Sequence, residues 1–123
     1  MWRLRLIYMN KKVVGLLGLA RRAGHIVFGS QALIPQNALK IALVLVANDV
    51  SPRTKNIVTT YCEKYHKKLI VTLPISELSM ILSAHHVGVL AITDRRLAAQ
   101  IEEKMKEGDP YGQKEEILSP EKE

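Results

Sequence analysis

The sequence predicts an α/β domain of three layers, with helices on both faces of a central sheet. Three observations carry that expectation. Segments with apolar residues at helical spacing alternate with short, continuous apolar runs. The connections are short and hold helix-capping residues such as Ser51 and Asp94. Hydrophobic residues make up 47% of the 123 but aromatics only 5%, so one modest, mostly aliphatic core is expected. Alternating helices and strands give an α/β/α sandwich, with the apolar strands expected to run largely parallel.

In chain order, "NKKVVGLLGLARRAG" places Val13, Leu16, Leu17 and Ala20 on one helical face. Asn10 can cap its start, Gly24 follows its end, and Arg21 and Arg22 suit the negative end of the helix dipole. "HIVF" is a short strand. Ser30 to Lys40 is expected to be a helix capped by Ser30, with Pro35 kinking it or starting a new short helix. "IALVLVA" has the unbroken apolar run of a buried strand. "SPRTKNIVTTYCEKYH" is a helix with Ser51 as cap and Pro52 in the first turn. "KKLIVTL" is a strand, "SELSMILSA" a short helix capped by Ser76, and "VGVLAIT" a strand. Asp94 then caps "RRLAAQIEEKMKEG", which Gly108 ends. Residues 1–9 are expected to be an N-terminal extension, 10–108 a single domain, and 109–123, polar with two prolines, a disordered tail.

Charge is segregated. Residues 1–68 hold twelve of the eighteen Lys/Arg but only two of the twelve Asp/Glu. The formal net charge of +6 is therefore concentrated in the first half. A basic surface suits a polyanion, because bound Lys and Arg release counterions from phosphates. The bland alternative is a basic protein with an acidic, solubilising end. No apolar run reaches the roughly 20 residues of a membrane helix, so no membrane association is expected. The lone Cys62 forbids an intrachain disulfide and fits a reducing, cytoplasmic setting.

Enzyme signals are thin. The chain has neither a G-x-x-x-x-G-K-[ST] phosphate loop nor a G-x-S-x-G elbow. The glycines of "GLLGLARRAG" lie within or at the end of a helix, not between a strand and a helix. His85 and His86 are adjacent, and His25 and His66 are distant, so no metal set is expected. Cys62 is expected in or near the core. Asp49 ends a buried strand, where catalytic acids often sit, but its place before Ser51–Pro52 favours a turn or capping role. Nucleic-acid signals are better. Lys11, Lys12, Arg21, Arg22, Lys40, Arg53 and Lys55 cluster at element ends, and Gly29 permits close backbone approach to a phosphate. "AHHVGV" offers two flat rings beside small and apolar residues, suited to an unpaired base.

Three pieces, "VVGLLGLARRAGHIVFGSQAL", "LVLVANDVSPRTKNIVTTYCEKYHKKLIV" and "VGVLAITDRRLAAQI", resemble the L-seven-Ae family of kink-turn RNA-binding ribosomal proteins. The small bacterial YlxQ-like branch is the nearest match, over about residues 10–105. The resemblance implies an α/β/α sandwich with a mixed four-stranded sheet, RNA binding and association with ribosomes or translation. It implies no catalysis and no cofactor. It carries the family's RNA grip onto Gly29, Ser30 and Gln31, which stands in place of an asparagine. The family's acid, a guanine reader, is replaced by Ala32, Phe28 stands where a basic residue is frequent, and Pro35 and Gln36 occupy the region of a helpful lysine. Val87 and Gly88 match the family's second contact, from the loop before the last strand.

These readings converge on a non-enzymatic, monomeric RNA-binding protein with weakened kink-turn specificity. Its expected RNA face comprises Arg21, Arg22, His25, Gly29, Ser30, Gln31, Lys40, His85, His86, Val87 and Gly88. A protein-interaction module on the same fold is the competing reading, motivated by the apolar Phe28, Ala32 and Pro35. An enzyme using Asp49 and a histidine stands third.

Overall fold

A computed structural model of the chain describes residues 11–107. The expected Asn10 cap, the Gly108 stop, the 1–9 extension and the 109–123 tail lie outside the described residues.

The elements follow the order α1 (Lys11–Arg22), β1 (Ile26–Phe28), two 3₁₀ turns (Ser30–Ala32 and Pro35–Asn37), β2 (Leu43–Val46), α2 (Pro52–Tyr65), β3 (Lys68–Val71), α3 (Ile75–Ile81), β4 (Val89–Ile92) and α4 (Arg95–Glu107). The four strands form one sheet in the order β1-β4-β2-β3. The two unbroken apolar runs became the two central strands, because β2 and β4 are buried at every position. The edge strands β1 and β3 are half-exposed at most positions.

The sheet is mixed. β2 and β3 are parallel, whereas β4 runs antiparallel to both β1 and β2. The expectation of largely parallel apolar strands is therefore corrected. A continuous apolar run reports burial on both faces and says nothing of direction. Between β3 and β4 lies α3, whose seven residues span about 10 Å. The chain turns back after it: Ser83 takes a left-handed φ of 52°, and the Val87 amide donates to Ser79 Oγ at 2.6 Å. The chain thus re-enters the sheet at the end where it left.

Helices α1, α3 and α4 cover one face, packing Val13, Leu17, Leu78 and Ile101 on Leu43, Leu45, Leu90 and Ile92. Helix α2 and the 3₁₀ segment cover the other, where Leu33, Val58, Tyr61 and Cys62 meet Val44, Val46 and Ala91. This is the three-layer sandwich the sequence predicts.

The single helix expected over Ser30–Lys40 is not formed. Ile34, which precedes a proline, is extended at φ −125° and ψ 158°, and Pro35 begins the second turn. Two contacts hold the break. Asn37 Nδ2 donates to the Ala32 carbonyl at 2.8 Å, and the Tyr61 hydroxyl donates to the Ile34 carbonyl at 2.8 Å. Ser30 lies inside the first turn, and Gly29 holds the capping position with no side-chain bond. The Ser76 cap is corrected as well. Helix α3 begins at Ile75, and the Ile75 amide donates to Asp49 Oδ1 at 2.9 Å, so its first turn is capped from the β2–α2 loop. Ser51 and Asp94 cap as expected, accepting from the Thr54 and Leu97 amides at 3.2 and 3.0 Å.

Candidate nucleic-acid interface

The carboxyl ends of β1, β2 and β3 and the start of β4 lie at one end of the sheet. Val46 pairs with both Val71 and Val89, the Gly29 amide donates to the Val89 carbonyl at 2.8 Å, and the Ala47 amide donates to the Gly88 carbonyl at 2.8 Å. Connections leaving this end surround a groove of about 610 Å³. Its walls are the Phe28–Gln31 turn, the start of α2 at Ser51 and Thr54, and the Ala84–Val89 loop. Carboxyl strand ends are where open α/β sheets place ligands, because the loops there splay apart.

Each wall has a local cause. Gly29 has φ 87° and ψ 157°, a conformation essentially restricted to glycine. A Cβ built there falls on the folded-back carboxamide of Gln31, so the amide head of Gln31 lies over the Gly29 backbone. Gln31 is exposed and carries both donors and an acceptor at the groove edge. On the opposite wall His86 takes a left-handed φ of 48°. Adjacent residues on a strand or helix point apart; in this bent loop His85 and His86 are both exposed and both line the groove. At the third wall, the first turn of α2 holds no acid, and Arg53 is exposed beside Ser51. Unpaired amides at such a start favour anions.

The structure thus brings together seven of the eleven expected residues: Gly29, Ser30, Gln31, His85, His86, Val87 and Gly88. Two of them serve packing. Val87 is 3% exposed and belongs to the core, and a Cβ on Gly88 would come within 3.1 Å of Val50 Cγ1. The loop therefore presents two imidazoles where the resemblance implied an apolar contact. Arg21 adjoins the site indirectly, its guanidinium carbon 5.9 Å from the centre of the Phe28 ring that lines the groove. Arg22 does not reach it: its guanidinium folds back along α1 to within 3.4 Å of a Cβ built on Gly18.

His25 and Lys40 stand at the other end of the sheet, where Leu43 and Ile26 both pair with Ile92. His25 Nε2 lies 3.5 Å from Asp94 Oδ2. The Leu97 amide, followed by the His25 charge, holds the Asp94 carboxyl below its ordinary value. The two groups engage each other at a partly exposed position. Ala32 does not line the groove, so the position of the absent guanine reader is outside it.

Sequence reasoning missed Val50, Ser51, Thr54 and Ile75 as lining residues. The signal was present at Ser51–Pro52, which marks a helix start directly after a buried strand, but capping accounted for it fully. Asp49 is spent on capping α3, and the Cys62 thiol is pushed up to about 11 by burial, against the opposing pull of Lys67. Among the described residues no three His, Cys, Asp or Glu side chains lie together to hold a metal, and no helix is long and apolar enough to cross a membrane.

No protein-family model and no curated protein sequence matches the chain. Solved structures do. A Bacillus halodurans protein of unknown function superposes with a TM-score of 0.63 at 29% identity, over 76% of this chain and 99% of its own. The Giardia lamblia 15.5 kD RNA-binding protein superposes with a TM-score of 0.62 at 19% identity, over 80% of this chain and 92% of its own. The second likeness is one of fold.

Proposed function

We propose that this chain is a non-enzymatic RNA-binding protein, associated with ribosomes or translation, that holds structured RNA in the groove at the carboxyl end of its sheet. One observation carries the reading: three separate segments converge on a groove with a glycine-only backbone turn, an exposed carboxamide and two exposed imidazoles, and no carboxylate lines it. The concentration of Lys and Arg in residues 1–68, the resemblance in sequence and the fold shared with the Giardia protein support it. Backbone amides and Lys/Arg would contact phosphates, while Gln31, His85 and His86 would contact bases. With Ala32 outside the groove and no acid lining it, recognition of a kink-turn guanine would be weakened.

The test is a binding titration against a panel: a kink-turn hairpin, a plain hairpin and oligouridine. Hairpin binding that falls steeply with salt is expected, with a small preference between the hairpins. No affinity for any of the three at low salt would sink the reading.

A protein-interaction role draws on Leu39 and Met80, exposed to 94% and 73%. The two sit on separate elements and form no patch, so RNA remains the better reading. A partner that survives nuclease treatment during purification would reverse that order.

A further inference from the structure

A second, smaller cavity lies away from the sheet end, between α2 and the 3₁₀ segment. It has a volume of about 380 Å³. Leu33 and Pro35 form one wall, Ile57 and Tyr65 the other, and Thr60 and Lys64 stand at its rim. The broken helix creates it. Because Pro35 starts a new turn and the Tyr61 hydroxyl ties down the Ile34 carbonyl, the 3₁₀ segment stands off α2 at this point. A continuous α-helix over the same residues would present a different surface.

Its surroundings are cationic. Helix α2 carries Arg53, Lys55 and Lys64 against Glu63 alone, and no carboxylate lines the cavity. The Lys64 ammonium rests 5.4 Å from the centre of the Tyr65 ring, placing a positive charge over an aromatic face at the rim. The cavity shares no lining residue with the groove, but α2 reaches both. Arg53, Ile57, Thr60 and Lys64 recur at three- and four-residue intervals and are all exposed, so one face of α2 runs from the groove wall at Thr54 to the cavity rim. Thr60 and Lys64 lie about 9 to 15 Å along the axis from Thr54.

We infer that this cavity is a second RNA subsite, which takes an unpaired base from a strand leaving the main groove along α2. The inference rests on the RNA reading above and deepens it. The Tyr65 ring and its apolar neighbours accept any base, because every base has an aromatic face, and Lys64 takes the adjoining phosphate. The occupant is a single-stranded segment flanking the structured RNA, since the bases of a duplex keep their faces stacked on one another.

The experiment compares the tighter-binding hairpin of the panel above with the same hairpin carrying four unpaired uridines at its 5′ or its 3′ end. One tailed form should bind about tenfold more tightly, within the range of one base–aromatic stack. Lys64→Glu and Thr60→Glu, both at exposed positions, should each erase that gain and leave the plain hairpin within about twofold of wild type, as expected for a contact confined to the tail. A 5-iodouridine in the tail should crosslink to Tyr65 on irradiation. If the plain hairpin binds but neither tail adds affinity, this inference falls and the RNA reading stands; a protein segment would then be the better occupant. If both variants weaken plain and tailed hairpins equally, the cavity has no separate role and the inference falls too. If no RNA binds at all, both readings fall together.

Discussion

The two ends of the sheet are built from similar residue types, yet they differ in where their polar groups are directed. At the β4 exit, His25 meets Asp94, and Asp94 also accepts from the Leu97 amide. At the β4 start, His85 and His86 are exposed on a bent loop, and Gln31 covers only a glycine backbone. One end spends its histidine and acid on closing the fold; the other leaves imidazoles and a carboxamide facing a groove. A count of polar or basic residues cannot separate these cases. What separates them is whether a partner lies within the chain.

Gly29→Ala should break the groove end most severely. Its φ of 87° with ψ 157° is one that alanine adopts only under strain of about 1 to 3 kcal/mol. Thermal unfolding should drop by roughly 4 °C or more, and hairpin affinity should fall beyond what the lost stability explains, because the Gln31 carboxamide must move. A variant with unchanged melting and affinity would remove Gly29 from the interface.

Asp49→Ala tests how rigidly that end is held. It leaves the Ile75 amide uncapped and should cost about 1 kcal/mol, read by denaturant unfolding, whereas Asp49→Asn should recover most of it. Smaller, and specific to RNA, is the contrast between neighbouring arginines. Arg21→Ala should weaken all the hairpins alike and reduce the salt slope by about one unit, whereas Arg22→Ala should leave both nearly unchanged. Equal effects would contradict their different placement on Phe28 and along α1.

At the closed end the effects should be on stability. The Asp94 carboxyl titrates below its ordinary 3.8 in the folded state, so its contribution is complete above that value and is lost as pH falls through the lower, folded one. Asp94→Asn keeps a capping oxygen but does not titrate. Melting temperatures followed from pH 6 to pH 3 should therefore fall less for the variant than for wild type. The smallest expected effect is that of His25→Ala or Lys40→Ala on RNA affinity, which should be absent; a clear loss from either would extend the interface to the far end.

Much of the fold was legible locally. The two apolar runs at 41–47 and 87–93 marked the central strands, because continuous burial on both faces leaves a continuous apolar pattern. Ser51–Pro52 and Asp94 marked helix starts, because a cap acts within three residues of itself. The Gly29 turn was legible for a similar reason: a glycine between a strand and a turn permits a backbone that other residues avoid. Val87 and Gly88 line the groove and also serve packing, which nothing adjacent in sequence shows, because Val50 lies against Gly88 only in the fold.

By itself, then, the sequence determined what short-range chemistry can determine: the strands, the helices outside 30–40, the helix starts at Ser51 and Asp94, and the concentration of positive charge. Tertiary structure decided the rest. The direction of β4 goes with the turn after α3, where the Ser79–Val87 bond brings the chain back. The break before Pro35 was held by the Tyr61 hydroxyl on the Ile34 carbonyl, 27 positions away. The choice of which histidine is spent and which is offered depended on Asp94 reaching His25 across the fold. Each is a pairing between residues distant along the chain, and sequence spacing carries no record of such a distance until the chain has folded.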